Sequence, residues 1–156
     1  MPASRPTTRF FPGARRAIPL FVLLIAILAP RADEDPGPRA AAAAVQSAFT
    51  DCDPGPIRPF LSRRLKTYLS LGGTGPESGY YGADQAALML QRLFARRATL
   101  RFTLAAVPEH PGHGPVVLTG RWTFRDDGSE RGESQLTFVL ATEPGGWRIR
   151  EIRARK

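Results

Sequence analysis

From Ala40 to Thr50 the chain is alanine-rich, and Val45, Ala48 and Phe49 recur on one face at helical spacing, which predicts a helix. Asp51-Cys52-Asp53-Pro54-Gly55-Pro56 ends it, because two prolines and a glycine break the hydrogen-bond ladder. Ile57 to Ser62 fits one further helical turn with Ile57, Phe60 and Leu61 inward. Leu65, Thr67, Leu69 and Leu71 then alternate with Lys66, Tyr68 and Ser70, which is the period of a strand. A glycine-rich loop from Gly72 to Gly79 leads to the strongest helical pattern, over about Ala83 to Arg96. There Ala86, Met89, Leu90, Leu93 and Phe94 form a single apolar stripe. Asp84 and Gln85 in the first turn, and Arg92, Arg96 and Arg97 in the last, suit the helix dipole.

After Arg97 the pattern is antiparallel sheet. Leu100, Phe102, Leu104 and Ala106 alternate with polar or small residues, and Val116, Leu118, Gly120, Trp122 and Phe124 form a second set. Asp126-Asp127-Gly128-Ser129 is a hairpin signal, since Asp-Gly tolerates positive φ. Leu136, Phe138 and Leu140 continue on the return strand, Glu143-Pro144-Gly145-Gly146 turns again, and Trp147 and Ile149 lead the last strand. One-sided alternation means a sheet with one buried face, and the helices are its cover. The fold class predicted is α+β, with N-terminal helices packed on a curved, mainly antiparallel four-stranded sheet. Its expected inward positions are Phe102, Leu104, Leu118, Trp122, Phe124, Leu136 and Phe138.

Length and charge refine this picture. At 156 residues the chain fits one domain preceded by a short segment of different character. Met1 to Arg16 is polar and basic, and Ala17 to Ala29 is apolar except for Pro19. A basic start followed by about 7–15 apolar residues is the pattern of a secretory signal, shorter than the roughly 20 residues of a membrane span. The division expected is a signal peptide or signal anchor over 1–32, a flexible linker over 33–39 and a folded domain over 40–156. The expected location is periplasmic or extracellular, or membrane-tethered if the leader is not cleaved; membrane contact is expected only through that segment. The formal charge of +8 does not point to nucleic acid. Five of the 22 basic residues lie before residue 33, and the remaining 17 face 14 acidic ones, a balance of +3. The one cysteine, Cys52, excludes an internal disulfide and a cysteine metal cluster.

Two stretches carry a family resemblance. Gly79-Tyr80-Tyr81-Gly82-Ala83-Asp84-Gln85-Ala86, leading into Leu90 and Leu93-Phe94, is one; Gly146-Trp147-Arg148-Ile149-Arg150-Glu151-Ile152-Arg153 is the other. Together they resemble the cystatin-like cone of the nuclear transport factor 2-like superfamily, and within it an exported subgroup, the domain-of-unknown-function family 4783. The resemblance covers roughly Arg39 to Arg155. It implies a long helix lying across a strongly bent sheet with a cavity between them. Where that family's pattern has a capping serine, this chain has Gly82, which lacks the hydroxyl of a full capping box.

Enzymes with this cone place Asp, His or Tyr groups in the cavity, where burial tunes them for acid–base work. None of the seven inward positions named above is such a group. The nearest candidates are Asp51, Asp53, Tyr80, Tyr81 and Glu151. His110 and His113 sit in a Pro-Gly loop that offers no rigid metal geometry, and Gly72-Gly73-Thr74-Gly75 is followed by neither a lysine nor a helix. Neither catalytic nor metal-binding residues, nor any cofactor, are therefore assigned. Arg148, Arg150, Arg153, Arg155 and Lys156, with Arg63, Arg64, Arg96 and Arg97, read as a solvated basic edge. The expectation is an exported, non-catalytic domain that binds a small apolar ligand or an envelope protein, with Tyr80, Tyr81, Trp122, Phe124 and Phe138 as candidate ligand-binding residues. Two alternatives stay open: an isomerase- or dehydratase-type enzyme using Asp51 or a tyrosine, and a structural accessory domain of the envelope. Homodimerisation through the outer sheet face would use Thr119, Arg121, Thr123, Thr137 and Val139.

Overall fold

The computed structural model describes residues 36–72, 77–107, 114–127 and 130–155. The leader, linker residues 33–35, the 73–76 part of the glycine loop, His110, His113, Gly128, Ser129 and Lys156 lie outside them. Helix α1 spans Pro38–Asp51. It begins within the stretch read as linker, because Pro38 supplies at N1 the φ a first turn needs and lacks only an N–H that would be unpaired there. It ends at Cys52, which adopts the left-handed conformation (φ 55°) more usual for glycine. A short helical turn, Arg58–Phe60, follows. Strands β1 (Thr67–Ser70) and β2 (Gly79–Tyr81) come next, then helix α2 (Ala83–Arg96). Strands β3 (Arg97–Leu104), β4 (Val116–Asp126), β5 (Arg131–Glu143) and β6 (Gly146–Arg155) complete the domain.

The sheet differs from the four-stranded prediction. It has six strands in the order β2-β1-β6-β5-β4-β3, mixed rather than antiparallel, because β1 runs parallel to β6. Only α1 precedes the sheet; α2 comes after its first two strands. The three residues of β2 are too few to show a period, and what places them is the cross-strand pairing of Tyr80 with Tyr68. A second correction concerns the arginines of β6. That strand lies between β1 and β5, so its charges do not guard an edge. Arg148 instead donates to the Gly145 carbonyl, Arg150 pairs with Glu143 at 3.0 Å, and Arg153 pairs with Glu151.

The expected inward alternation holds. Phe102, Leu118, Trp122, Phe124, Leu136 and Phe138 are buried and Leu104 partly so, against Ala41, Ala42, Val45, Ala48 and Phe49 of α1 and Leu90, Leu93 and Phe94 of α2. At α2 the Gln85 side chain accepts the Gly82 N–H at 3.3 Å, the half of the capping box that survives without a serine.

The long edge strand β3 is closed by α1. Gln46 donates from Nε2 to the Phe102 carbonyl and accepts the Leu104 N–H on Oε1, both at 3.1 Å. These are the two bonds that one residue of a parallel neighbouring strand would make. Near the other end of β3, Cys52 Sγ accepts the Thr99 N–H at 3.3 Å and lies 3.7 Å from the Arg97 carbonyl. Side chains of one helix thus stand in for a seventh strand, which removes a template for aggregation.

Replacing Gln46 by alanine strands the Phe102 carbonyl and the Leu104 N–H at a half-buried site. The expected loss is about 1–3 kcal/mol in urea unfolding. Gln46→Glu, which keeps an acceptor for the Leu104 N–H and loses the donor, falls between wild type and alanine.

Candidate functional site

Between helices and sheet, where a cone fold holds its cavity, aromatic rings meet. Phe49 is their hub. Its ring centroid lies 5.0 Å from Phe102, stacked, and 5.1, 5.4 and 5.5 Å from Phe94, Trp122 and Phe138, each near edge-to-face. These are favourable aromatic geometries, and Phe49, Trp122 and Phe138 are at most 1% exposed. Thr99 ties the cluster to the main chain by donating to the Phe49 carbonyl (2.6 Å) and accepting the Trp122 indole N–H (2.8 Å).

Two glycines show how tightly the rings are seated. A Cβ added at Gly132 would sit 2.5 Å from the Phe124 ring, and one at Gly120 would sit 2.9 Å from the Phe102 ring. Each ring lies over a strand position that only glycine leaves vacant.

Arg97, the first residue of β3, is buried beside this cluster. Its side chain is 7% exposed, its Nε is 2.7 Å from Asp126 Oδ1, and its guanidinium carbon stands 4.3 Å from the centre of the Phe124 ring. A cation over a desolvated ring is attracted by the ring's quadrupole, so Arg97 completes the aromatic stack while Asp126 offsets its charge. Arg97, Asp126 and Phe124 form one side of a hollow of about 380 Å³, lined also by Leu71, Gly132, Ser134 and Ala154 and by the charged Glu130, Arg131, Glu133 and Arg155.

Among the described residues the buried polar or charged ones are Ser62, Thr67, Arg97, Thr123 and Ser134, none of them an acid or an imidazole. The Glu143 carboxylate is also nearly covered, at 8% exposure. It accepts Ser62 Oγ at 2.6 Å and is held by Arg150, in a network that fastens the loop after the short helical turn to β5 and β6. Asp51 is exposed and accepts Ser47 Oγ at 3.0 Å; Asp53 is exposed and accepts the Gly55 N–H at 2.9 Å, a local turn bond. Asp84, on the surface of α2, has its pKa lowered by the hydrogen bond and the charge of Arg58 at 2.7 Å. No group of three or more potential metal ligands occurs among the described residues.

The five candidate ligand-binding residues are not brought together. Trp122, Phe124 and Phe138 share the ring cluster, with Trp122 and Phe124 centred 4.5 Å apart. Tyr81 packs against the rim of the core, its hydroxyl donating to the Glu77 carbonyl at 2.6 Å. Tyr80 is 68% exposed on the opposite face of the sheet. Sequence reasoning missed Phe49 as the filler of the cone. The available signal was one aromatic residue on a helix face otherwise made of alanines and Val45. It also missed Arg97, whose position just after a helix disguised it as a dipole-pairing surface charge.

The outer face carries a continuous cross-strand row, Tyr80, Tyr68, Glu151, Val139 and Val117, over five strands. The next row runs through Ser70, Arg153, Thr137 and Thr119. A hollow of about 610 Å³, open to solvent, lies beside it over β3 to β5, lined by Thr103, Thr119, Arg121 and Gln135 among others.

No family model and no curated protein matches the chain. Solved structures do. A protein of domain-of-unknown-function family 4783 from Bacteroides uniformis superposes with a TM-score of 0.60 at 14% identity, over 73% of this chain and 94% of that one. A nuclear transport factor 2-like protein from Burkholderia thailandensis gives 0.57 at 19% identity, over 76% and 89%. A structure from Thiobacillus denitrificans, described as a candidate calcium/calmodulin-dependent protein kinase type II association domain, gives 0.52 at 22%, over 76% and 94%. The chain has the nuclear transport factor 2-like fold, and proteins of family 4783 are among the solved structures that share it.

Gly132→Ala forces a methyl group into the Phe124 ring, and the expected cost is about 1–3 kcal/mol of overpacking strain in chemical unfolding. In the Phe124→Leu background the same change should cost clearly less, a coupling that a double-mutant cycle reads directly.

Proposed function

We propose that this chain is an exported, non-catalytic association domain that works through the outer face of its sheet and pairs there with a second copy of itself. The observation that carries this reading is the filled cone. Rings occupy the interior, Arg97 with Asp126 packs beside them, and no buried carboxylate or imidazole is positioned for acid–base chemistry among the described residues. A small apolar ligand entering the ring cluster would have to displace packed side chains at core cost, and the hollow beside it is bordered by the charged Arg97, Asp126, Glu130, Arg131, Glu133 and Arg155. The fold's other broad surface is the outer face, whose centre is built of Val117, Thr119, Thr137 and Val139, uncharged and mostly β-branched. Arg121 and Glu133 on one side and Glu151 and Arg153 on the other supply both signs of charge. Mixed charge around an uncharged centre suits a two-fold, self-complementary contact. The neighbour described as an association domain shares this fold, which supports the same use of it here. Export is inferred from the basic start and the short apolar run before residue 30. Among the described residues no helix is long and apolar enough to cross a membrane.

Sedimentation velocity on the protein purified from an exporting host is expected to show a concentration-dependent dimer, with about 800 Å² buried on each partner. Thr137→Arg should yield a monomer with an unchanged thermal midpoint. A wild-type monomer at every concentration would remove this reading.

A further inference from the structure

A second feature of the outer face lies away from its β-branched centre, on β2, β1 and β6. Among the described residues Tyr80 is the most exposed large hydrophobic, at 68%. Its ring centroid is 5.0 Å from that of Tyr68, the planes tilted by 55°. The Arg153 guanidinium lies 5.2 Å from the centre of the Tyr68 ring and is ion-paired with Glu151. One row along, Ser78 Oγ donates to Ser70 Oγ at 2.9 Å. Two aromatic rings are thus bordered by a fixed cation, a fixed carboxylate and two hydroxyls.

Neither tyrosine ring is needed by the core, which lies on the other face. Tyr68 is held from both sides, by Tyr80 and by Arg153, so its ordering cost is already met before any ligand arrives. Arg153 and Glu151 neutralise each other, so the patch has no net charge to offer an ionic partner. What it does offer is an apolar ring face beside alternating donors and acceptors.

We infer that this patch is a binding site for a neutral β-linked polysaccharide chain. A pyranose whose hydroxyls are all equatorial has the same division: its flat faces carry C–H bonds, and its rim carries groups that both donate and accept. Stacked on Tyr80, such a ring turns its hydroxyl rim toward Arg153, Glu151 and the serine pair, where charge-assisted hydrogen bonds select orientation. A proline-rich peptide also uses tyrosines, but it docks in an aromatic-lined groove, and this surface lies on a sheet whose neighbouring side chains are hydroxyls and a closed ion pair. The site shares Glu151 and Arg153 with the border of the self-association face, but its two rings lie on β2 and β1, outside the centre of that face on β4 and β5.

Cellohexaose and chitohexaose, titrated into the protein from an exporting host and followed by saturation-transfer NMR on the sugar protons, test this. Saturable binding of at least one of them is expected. Tyr80→Ala should weaken it about fivefold or more, Tyr80→Phe should retain it because stacking does not use the hydroxyl, and Leu88→Ala, exposed on α2, should leave it unchanged. Absence of saturable binding at millimolar sugar overturns the inference. So does binding that is indifferent to Tyr80→Ala, or a proline-rich peptide that binds in a Tyr80-dependent manner while neither sugar does. Failure here with an intact dimer leaves the association reading standing, and binding by a monomer does the reverse.

Discussion

Phe49 is the side chain through which helix α1 meets the sheet, and its ring touches those of four other residues from α2, β3, β4 and β5. The neighbours of Phe49 on the buried face of its helix are small. Ala41, Ala42 and Ala48 let the helix backbone approach the strands closely, and Phe49 then fills the space that remains. The two choices depend on each other. A larger residue at Ala48 would lift the helix and uncover the rings, and a smaller one at Phe49 would leave a void beneath a helix already seated. Among the described residues this packing leaves no acid or imidazole buried among the rings.

The rest of the scaffold is arranged around that contact. Thr99 binds both the Phe49 carbonyl and the Trp122 indole, and so fixes β3 against α1 and β4 at one point. Gln46 and Cys52 flank Phe49 on the same helix and satisfy edge groups of β3. Cys52 holds a left-handed backbone for which glycine is the usual choice. A glycine there would relieve the backbone but forfeit the sulfur that receives the Thr99 N–H. About two turns of helix therefore supply core filling, strand-edge satisfaction and helix termination together.

Much of this was legible in the sequence, and the parts that were not share a cause. Helix α2 was readable to the residue because its apolar stripe recurs from Ala86 to Phe94 and its ends carry the right charges. The inward faces of β3 to β5 were readable because alternation is a local property. The parallel contact of β1 with β6 was not, because it joins residues more than 80 positions apart and leaves no periodic trace. The three residues of β2 were not, for want of length. Of the candidate ligand-binding residues, Trp122, Phe124 and Phe138 were correctly placed indoors, but sequence could not say whether the room was empty. That depended on Phe49 reaching across from a helix 73 positions before Trp122, and on Gly120 and Gly132 leaving space for rings on neighbouring strands. Tyr80 and Tyr81 are adjacent in a strand and so point to opposite faces, which separates them however alike they look in the chain.

The filled cone is the claim on which the functional reading rests, and uptake of a small apolar probe tests it most directly. Benzene titrated into the wild-type protein, followed by the Trp122 indole and phenylalanine ring resonances, is expected to produce no saturable shift. Phe49→Ala, which opens a void in the same place, should bind benzene and serves as the positive control. Saturable binding of benzene by the wild type, with shifts centred on Phe49, Trp122 and Phe138, would show an accessible cavity and contradict the account.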